Sequence, residues 1–112
     1  MWEYGVRQLQ KRSRKGQQHV AIAVRKRQVV GVGYNSYTKT HPRQGNLARR
    51  VGQPRREYLH AEIAALLAAK TTPDTLYVMR INKKGELVES SPCPVCQLAI
   101  NLCNPRMRVF HS

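Results

Sequence analysis

The sequence predicts a single small α/β domain, and three observations carry that expectation. From His19 the apolar residues follow a period of two, the spacing of a strand. Two later segments, 59–70 and 92–103, place apolar residues three and four apart, the spacing of helices. Between them Thr-Leu-Tyr-Val-Met-Arg-Ile at 75–81 reads as a core strand. At 112 residues the chain is long enough for a modest core and has no room for a second domain.

Taken in order, Trp2, Val6 and Leu9 stand at helical spacing, with Arg7, Lys11, Arg12, Arg14 and Lys15 around them and Gly16 as the stop. Residues 1–17 thus read as a basic, amphipathic N-terminal helix. Val20, Ile22 and Val24 then face one way and Ala21 and Ala23 the other, as in a strand buried on both faces. Arg25-Lys26-Arg27-Gln28 turns the chain into an antiparallel partner, Val29 to Tyr34, whose Gly31 and Gly33 permit close approach of another backbone or a ligand. Asn35 ends that strand, where Asn is also common turn chemistry. Residues 36–58 read as a long basic loop with a short helical piece at Leu47 to Val51, and loops of that length are usually functional or mobile.

The helix at 59–70 buries Ile63, Leu66 and Leu67 and ends in Lys70, which suits the helix dipole. After the strand at 75–81, Asn82-Lys83-Lys84-Gly85 is a turn and Glu86 to Glu89 a short edge strand pairing back. Pro92 to Cys103 opens the second helix, with Val95, Leu98, Ala99 and Leu102 on one face and Pro94 tolerated in the first turn. Cys103, seven residues beyond Cys96, reads as a buried core thiol. Met107 to His111 is a last strand, parallel to its neighbour because a helix crosses over before it.

Composition narrows the function. Hydrophobic residues make up 41% of the chain, and no apolar run approaches the roughly 18 residues of a membrane span. The start, Met-Trp-Glu-Tyr-Gly, has no apolar core of a signal peptide. Three cysteines, two of them in a metal-like pair, fit a reducing compartment rather than a disulfide framework. The expected location is the cytoplasm, that of the host if the gene is carried by a phage. The net charge is +14, from 20 Lys and Arg against 6 Asp and Glu. Residues 1–56 hold 14 basic side chains and only Glu3, while residues 57–112 hold 6 basic and 5 acidic ones. Such a lopsided charge favours a phosphate-bearing partner over a merely solvated surface. Lys39, Arg43, Arg49, Arg50, Arg55 and Arg56 are the candidate phosphate or nucleic-acid contacts.

The chemistry concentrates in His60-Ala61-Glu62 and Pro92-Cys93-Pro94-Val95-Cys96. Imidazole and thiolate are good ligands for borderline-soft Zn²⁺, so His60, Cys93 and Cys96 are candidate ligands for one zinc per chain. Three protein ligands leave a position open, the mark of a catalytic site; Cys103 or His111 as a fourth ligand would make it a closed structural one. Glu62, two residues from the His, cannot easily ligate the same metal and is placed to move protons beside it. Cys93 and Cys96 lie one turn apart at a helix N-terminus, where the dipole favours the thiolate.

H-x-E followed by P-C-x-x-C is the signature of zinc-dependent nucleobase deaminases. With Gly33-Tyr34-Asn35 and Lys39-Thr40-His41-Pro42, the chain resembles the cytidine and deoxycytidylate deaminase superfamily, most closely its small phage-type members, from roughly residue 18 onward. The resemblance implies a three-layer α/β/α fold with a mixed central sheet, here C-terminally minimal, since the family usually continues with another helix and often a strand. A sheet edge left uncovered would favour a homo-oligomer. The resemblance also implies that Asn35 reaches the nucleoside, that Lys39 and His41 lie near the active-site mouth, and that the Ala61 N–H and the Ser91 carbonyl contact the base. The implied activity is hydrolytic deamination of a cytosine nucleotide with Glu62 as proton shuttle. Two alternatives stand beside it: a deaminase of single-stranded DNA, RNA or tRNA, and a non-catalytic nucleic-acid-binding protein on the same scaffold.

Overall fold

β1 (Gln18–Arg25) is an interior strand of the sheet, and its side chains explain why. Val20, Ile22 and Val24 pack on one face with Leu9, Met79 and Ile81, while Ala21 and Ala23 pack on the other with Ala61, Ala65, Leu76 and Val78. All five residues from Val20 to Val24 are buried, as a strand covered on both faces requires. The computed structural model describes residues 2–10, 18–36, 38–55, 58–90 and 93–112. Lys11, Arg12, Arg14, Lys15, Gly16 and the side chain of Val6, all assigned above to the first helix, lie outside the described residues, as do Arg56, Ser91 and Pro92.

β2 (Gln28–Tyr34) pairs antiparallel with β1 through a tight turn at Lys26 and Arg27, whose φ angles are +49° and +65°. Two positive-φ residues match the twist of a short hairpin. β3 (Thr75–Ile81) pairs antiparallel on the other side of β1. Beyond it, β4 (Leu87–Val88) runs antiparallel to Arg80 and Ile81, and β5 (Arg108–His111) runs parallel to the stretch from Thr75 to Val78. The sheet is mixed: β1 pairs antiparallel with both β2 and β3, whereas β5, reached through a helix after β4, runs parallel to β3.

The helices supply the outer layers. α1 (Trp2–Gln10) covers the face of Val20 and Ile22, with Trp2 edge-on to Tyr77 and Tyr77 stacked on Phe110. α2 (Pro42–Arg50), α3 (Ala61–Ala68) and α4 (Pro94–Cys103) lie on the opposite side. α3 sits directly on β2: a Cβ at Gly31 would lie 2.6 Å from Ala65 O, and one at Gly33 would overlap Ala65 N and Ala61 O, so these two glycines are what let strand and helix backbones meet. Among the described residues no helix is long and apolar enough to cross a membrane.

The largest difference from the sequence reading is α2. The basic stretch 43–56, with few apolar residues, reads as loop apart from a short helical piece at Leu47 to Val51, yet the helix starts five residues earlier and spans Pro42–Arg50. His41 caps it by accepting from Arg43 N at 3.1 Å, and Pro42 occupies the first turn, where proline is preorganised. Buried Gln44, Leu47 and Ala48, three and four residues apart, turn one face onto α3 and α4. α1 and α2 also fall on opposite sides of the sheet, so Arg7 of α1 lies in a different layer from Arg43, Arg49 and Arg50 of α2.

Candidate metal centre and the cleft beside it

His60 and Cys93 occupy equivalent positions in two helices. Each is the N-cap residue, with extended backbone (φ −85°, ψ 154° and φ −74°, ψ 166°), and neither side chain caps its own helix. Cys96 follows Cys93 by one turn and is fully buried. Because α3 and α4 pack side by side, the three side chains converge. His60 Nδ1 lies 3.3 Å from Cys96 Sγ and 3.4 Å from Cys93 Sγ, and all three ligand atoms fall within 4.8 Å of one another. A tetrahedral zinc with Zn–N of ~2.0 Å and Zn–S of ~2.3 Å would hold N and S about 3.5 Å apart. The donor set and its spacing therefore fit one zinc ion, held through His60 Nδ1.

The sulfurs are electrically prepared. The hydrogen bond from Cys96 draws the Cys93 thiol down to about 3 against burial, with His60 helping, while the same contact, burial and Glu62 push Cys96 up. One thiolate thus forms readily and the second requires the metal's own charge. Cys103 and His111, the alternative fourth ligands, are not in this group of described residues. Cys103 is exposed, contrary to its reading as a core thiol, because α4 runs past its cover in the last turn, where Leu102 is also 58% exposed.

Glu62 stands in the first turn of α3 and is only 6% exposed. Burial pushes its pKa up, opposed by its own backbone amide, by a hydrogen bond with Cys96 and by the nearby His60. A carboxyl so placed takes up and releases a proton nearer neutrality than a solvated one. Ala61, the first residue of α3, is buried beside it.

Several contacts set where α3 begins. The chain before it runs alongside 36–40: Ser36 N donates to Leu59 O and Leu59 N to Lys39 O, each at 2.9 Å, with a bridge between Thr40 and Tyr58. Gln44, fully buried on α2, accepts from His60 N at 3.1 Å through Oε1. That amide is one of the donors a helix start leaves without an intrahelical partner. Nothing in the sequence signals Gln44, since the segment reads as loop.

Asn35 is held at the end of β2, accepting from His19 N at 2.9 Å through Oδ1. His41 caps α2 and lines a groove between α2, α3 and α4. Lys39, Arg43, Arg49, Arg50 and Arg55 are exposed, and Arg56 and Ser91 fall outside the described residues. Two residues that sequence reasoning passes over, His19 and Arg80, line a cavity with Glu89 and Ser90. Burial, then Arg80, then His60 draw His19 down to about 4.

Residues 4–112 match the family described as the cytidine and deoxycytidylate deaminase zinc-binding region. No curated protein matches the chain.

Proposed function

The chain belongs to the cytidine and deoxycytidylate deaminase zinc-binding family, and we propose that it is a zinc-dependent hydrolase converting the cytosine of a nucleotide to uracil with release of ammonia. The observation that supports this most is the buried carboxyl of Glu62, in the first turn of the helix whose N-cap is His60, beside the His60, Cys93 and Cys96 triangle. A closed structural zinc site has no use for a buried acid there.

His60, Cys93 and Cys96 hold the metal in this reading. The chemistry supplied by bound zinc is activation of a water molecule at neutral pH. Glu62 accepts that water's proton as oxygen adds to the amino-bearing ring carbon, delivers a proton to the adjacent ring nitrogen, and then helps protonate the departing amine so that it leaves as ammonia. The Ala61 N–H and the Ser91 carbonyl orient the base, and Asn35 contacts the nucleoside. The helix starts at His60 and Cys93 place the ligands on two rigid elements, so the site needs little rearrangement to take up metal.

A second reading, deamination of a base in single-stranded nucleic acid, is favoured by exposed Arg43, Arg49, Arg50 and Arg55. An ammonia-release assay on zinc-loaded protein with cytosine nucleotides against cytosine-containing oligonucleotides decides between them. Turnover of the mononucleotide that is lost in Glu62→Gln, with zinc content unchanged, is the expected result. Wild-type turnover undiminished in Glu62→Gln would refute the mechanism, and turnover of oligonucleotides alone would favour the second reading.

A further inference from the structure

His19 and Arg80 face each other across β1 and β3 in the antiparallel register, so both side chains leave the same face of the sheet. Ala21 and Val78, two residues along from each, pack in the cluster that includes Ala61 and Ala65 of α3. The pair therefore belongs to the layer that carries the metal ligands. It also sits at the end of the sheet where α3 begins. Asn35 Oδ1 accepts from His19 N, and Ser36 N, the next residue along, donates to Leu59 O beside His60. A cavity of about 290 Å³ opens there, lined by His19, Arg80, Glu89 and Ser90.

Arg80 is not fully used by the fold. Nη1 reaches the Glu89 carbonyl only at 3.5 Å, and Nε is buried with no hydrogen-bond partner among the described residues. A buried donor left without an acceptor is costly, and a ligand that brings the acceptor accounts for it. The guanidinium presents a planar fork of donors that matches phosphate oxygens, with the imidazole of His19 opposite as a further donor. At about 290 Å³ the cavity falls just under the roughly 300–1,000 Å³ typical of ligand sites, a size that suits one phosphate and its sugar.

We propose that Arg80 and His19 hold the phosphate of a nucleoside monophosphate whose base reaches the metal centre, which makes the substrate a mononucleotide rather than a nucleoside or free base. The choice of base rests on the deaminase reading. Arg80, the cation of this subsite, comes from the nearly neutral half of the chain, outside the run of arginines that the overall charge points to. Glu89 is the one acidic residue of the lining and is exposed; it weakens anion binding in this arrangement.

The test is calorimetric binding of deoxycytidine 5′-monophosphate, deoxycytidine and a cytosine-containing oligonucleotide to the zinc-loaded full chain, as wild type, Arg80→Met, Arg80→Lys and Glu89→Gln. The monophosphate should bind wild type about 10-fold or more tighter than the nucleoside. Arg80→Met should erase that advantage with nucleoside affinity unchanged, Arg80→Lys should keep part of it, and Glu89→Gln should enlarge it. Inorganic phosphate should also shift the ring resonances of His19 in wild type, a readout independent of any variant's folding. Equal affinity of wild type for monophosphate and nucleoside, an advantage that survives Arg80→Met, or unmoved His19 resonances would overturn the assignment. An oligonucleotide without a terminal phosphate that displaces the monophosphate with equal affinity would overturn the mononucleotide part. Failure of the deaminase reading looks different: phosphate binding persists while no nucleotide yields ammonia.

Discussion

Gly33→Ala tests whether β2 positions the metal ligands by direct backbone contact with α3. The added Cβ would overlap Ala65 N and Ala61 O and lie 2.6 Å from Ala64 C. Carbon atoms in good contact stand about 3.5–4.0 Å apart, so strand and helix must separate by about 1 Å. All three neighbours are main chain, and no rotamer change relieves them. Overpacking costs about 1–3 kcal/mol where neighbours can yield, and backbone partners place this substitution at the upper end, near 3 kcal/mol. At roughly 4 °C per kcal/mol for a chain of this size, the melting temperature should fall by about 12 °C. His60 moves with the start of α3, away from sulfurs at 3.3 and 3.4 Å, so zinc affinity should drop about 10-fold, as when support behind a ligand is lost. Gly45→Ala is the control. Its Cβ meets only Arg49 Nη1, at 3.5 Å, within helix α2, so it should stabilise by about 0.5–1 kcal/mol and leave zinc binding alone. Thermal melting and zinc titration against a competing chelator measure both. A Gly33→Ala protein as stable as wild type, or binding zinc as tightly, would refute the reasoning.

Cys96→Ala should abolish stoichiometric zinc binding and make the melting temperature indifferent to chelator, whereas chelator should lower that of wild type because metal binding is coupled to folding; a full equivalent of zinc in the variant would contradict the ligand assignment. His19 has a folded pKa of about 4 against an ordinary value of 6.5, so between those values the unfolded chain binds more protons and stability falls as the pH is lowered. Urea unfolding of wild type against His19→Gln should show that extra acid sensitivity in wild type alone, and parallel pH profiles would count against it. Reversing Arg43, Arg49, Arg50 and Arg55 to Glu should weaken binding to single-stranded DNA strongly, and wild-type affinity should drop steeply between about 50 and 200 mM salt. Affinity flat across that range would mark the arginines as a solvated surface.

Local pattern by itself determined much of this protein. Period-two apolar residues and a β-rich composition placed β3 at Thr75–Ile81 and β1 beside its hairpin partner, because alternation is a property of a strand whatever it later pairs with. The two helix starts and the ligand types at His60, Cys93 and Cys96 were legible for a similar reason: the spacing within one turn is set by the helix, and the donor chemistry by the residue. Tertiary structure alone decided the rest. α2 was hidden because its helix is stabilised by Leu47 and Ala48 meeting α3 and α4 and by a buried Gln44 whose acceptor has value only once His60 N is opposite it. Cys103 changed from buried to exposed because the cover over α4, and not its own periodicity, sets its burial. His19 and Arg80, 61 positions apart, became neighbours only through the register of β1 on β3. A slip of one residue would have sent either side chain to the opposite face, and that choice is made by the packing of the whole sheet.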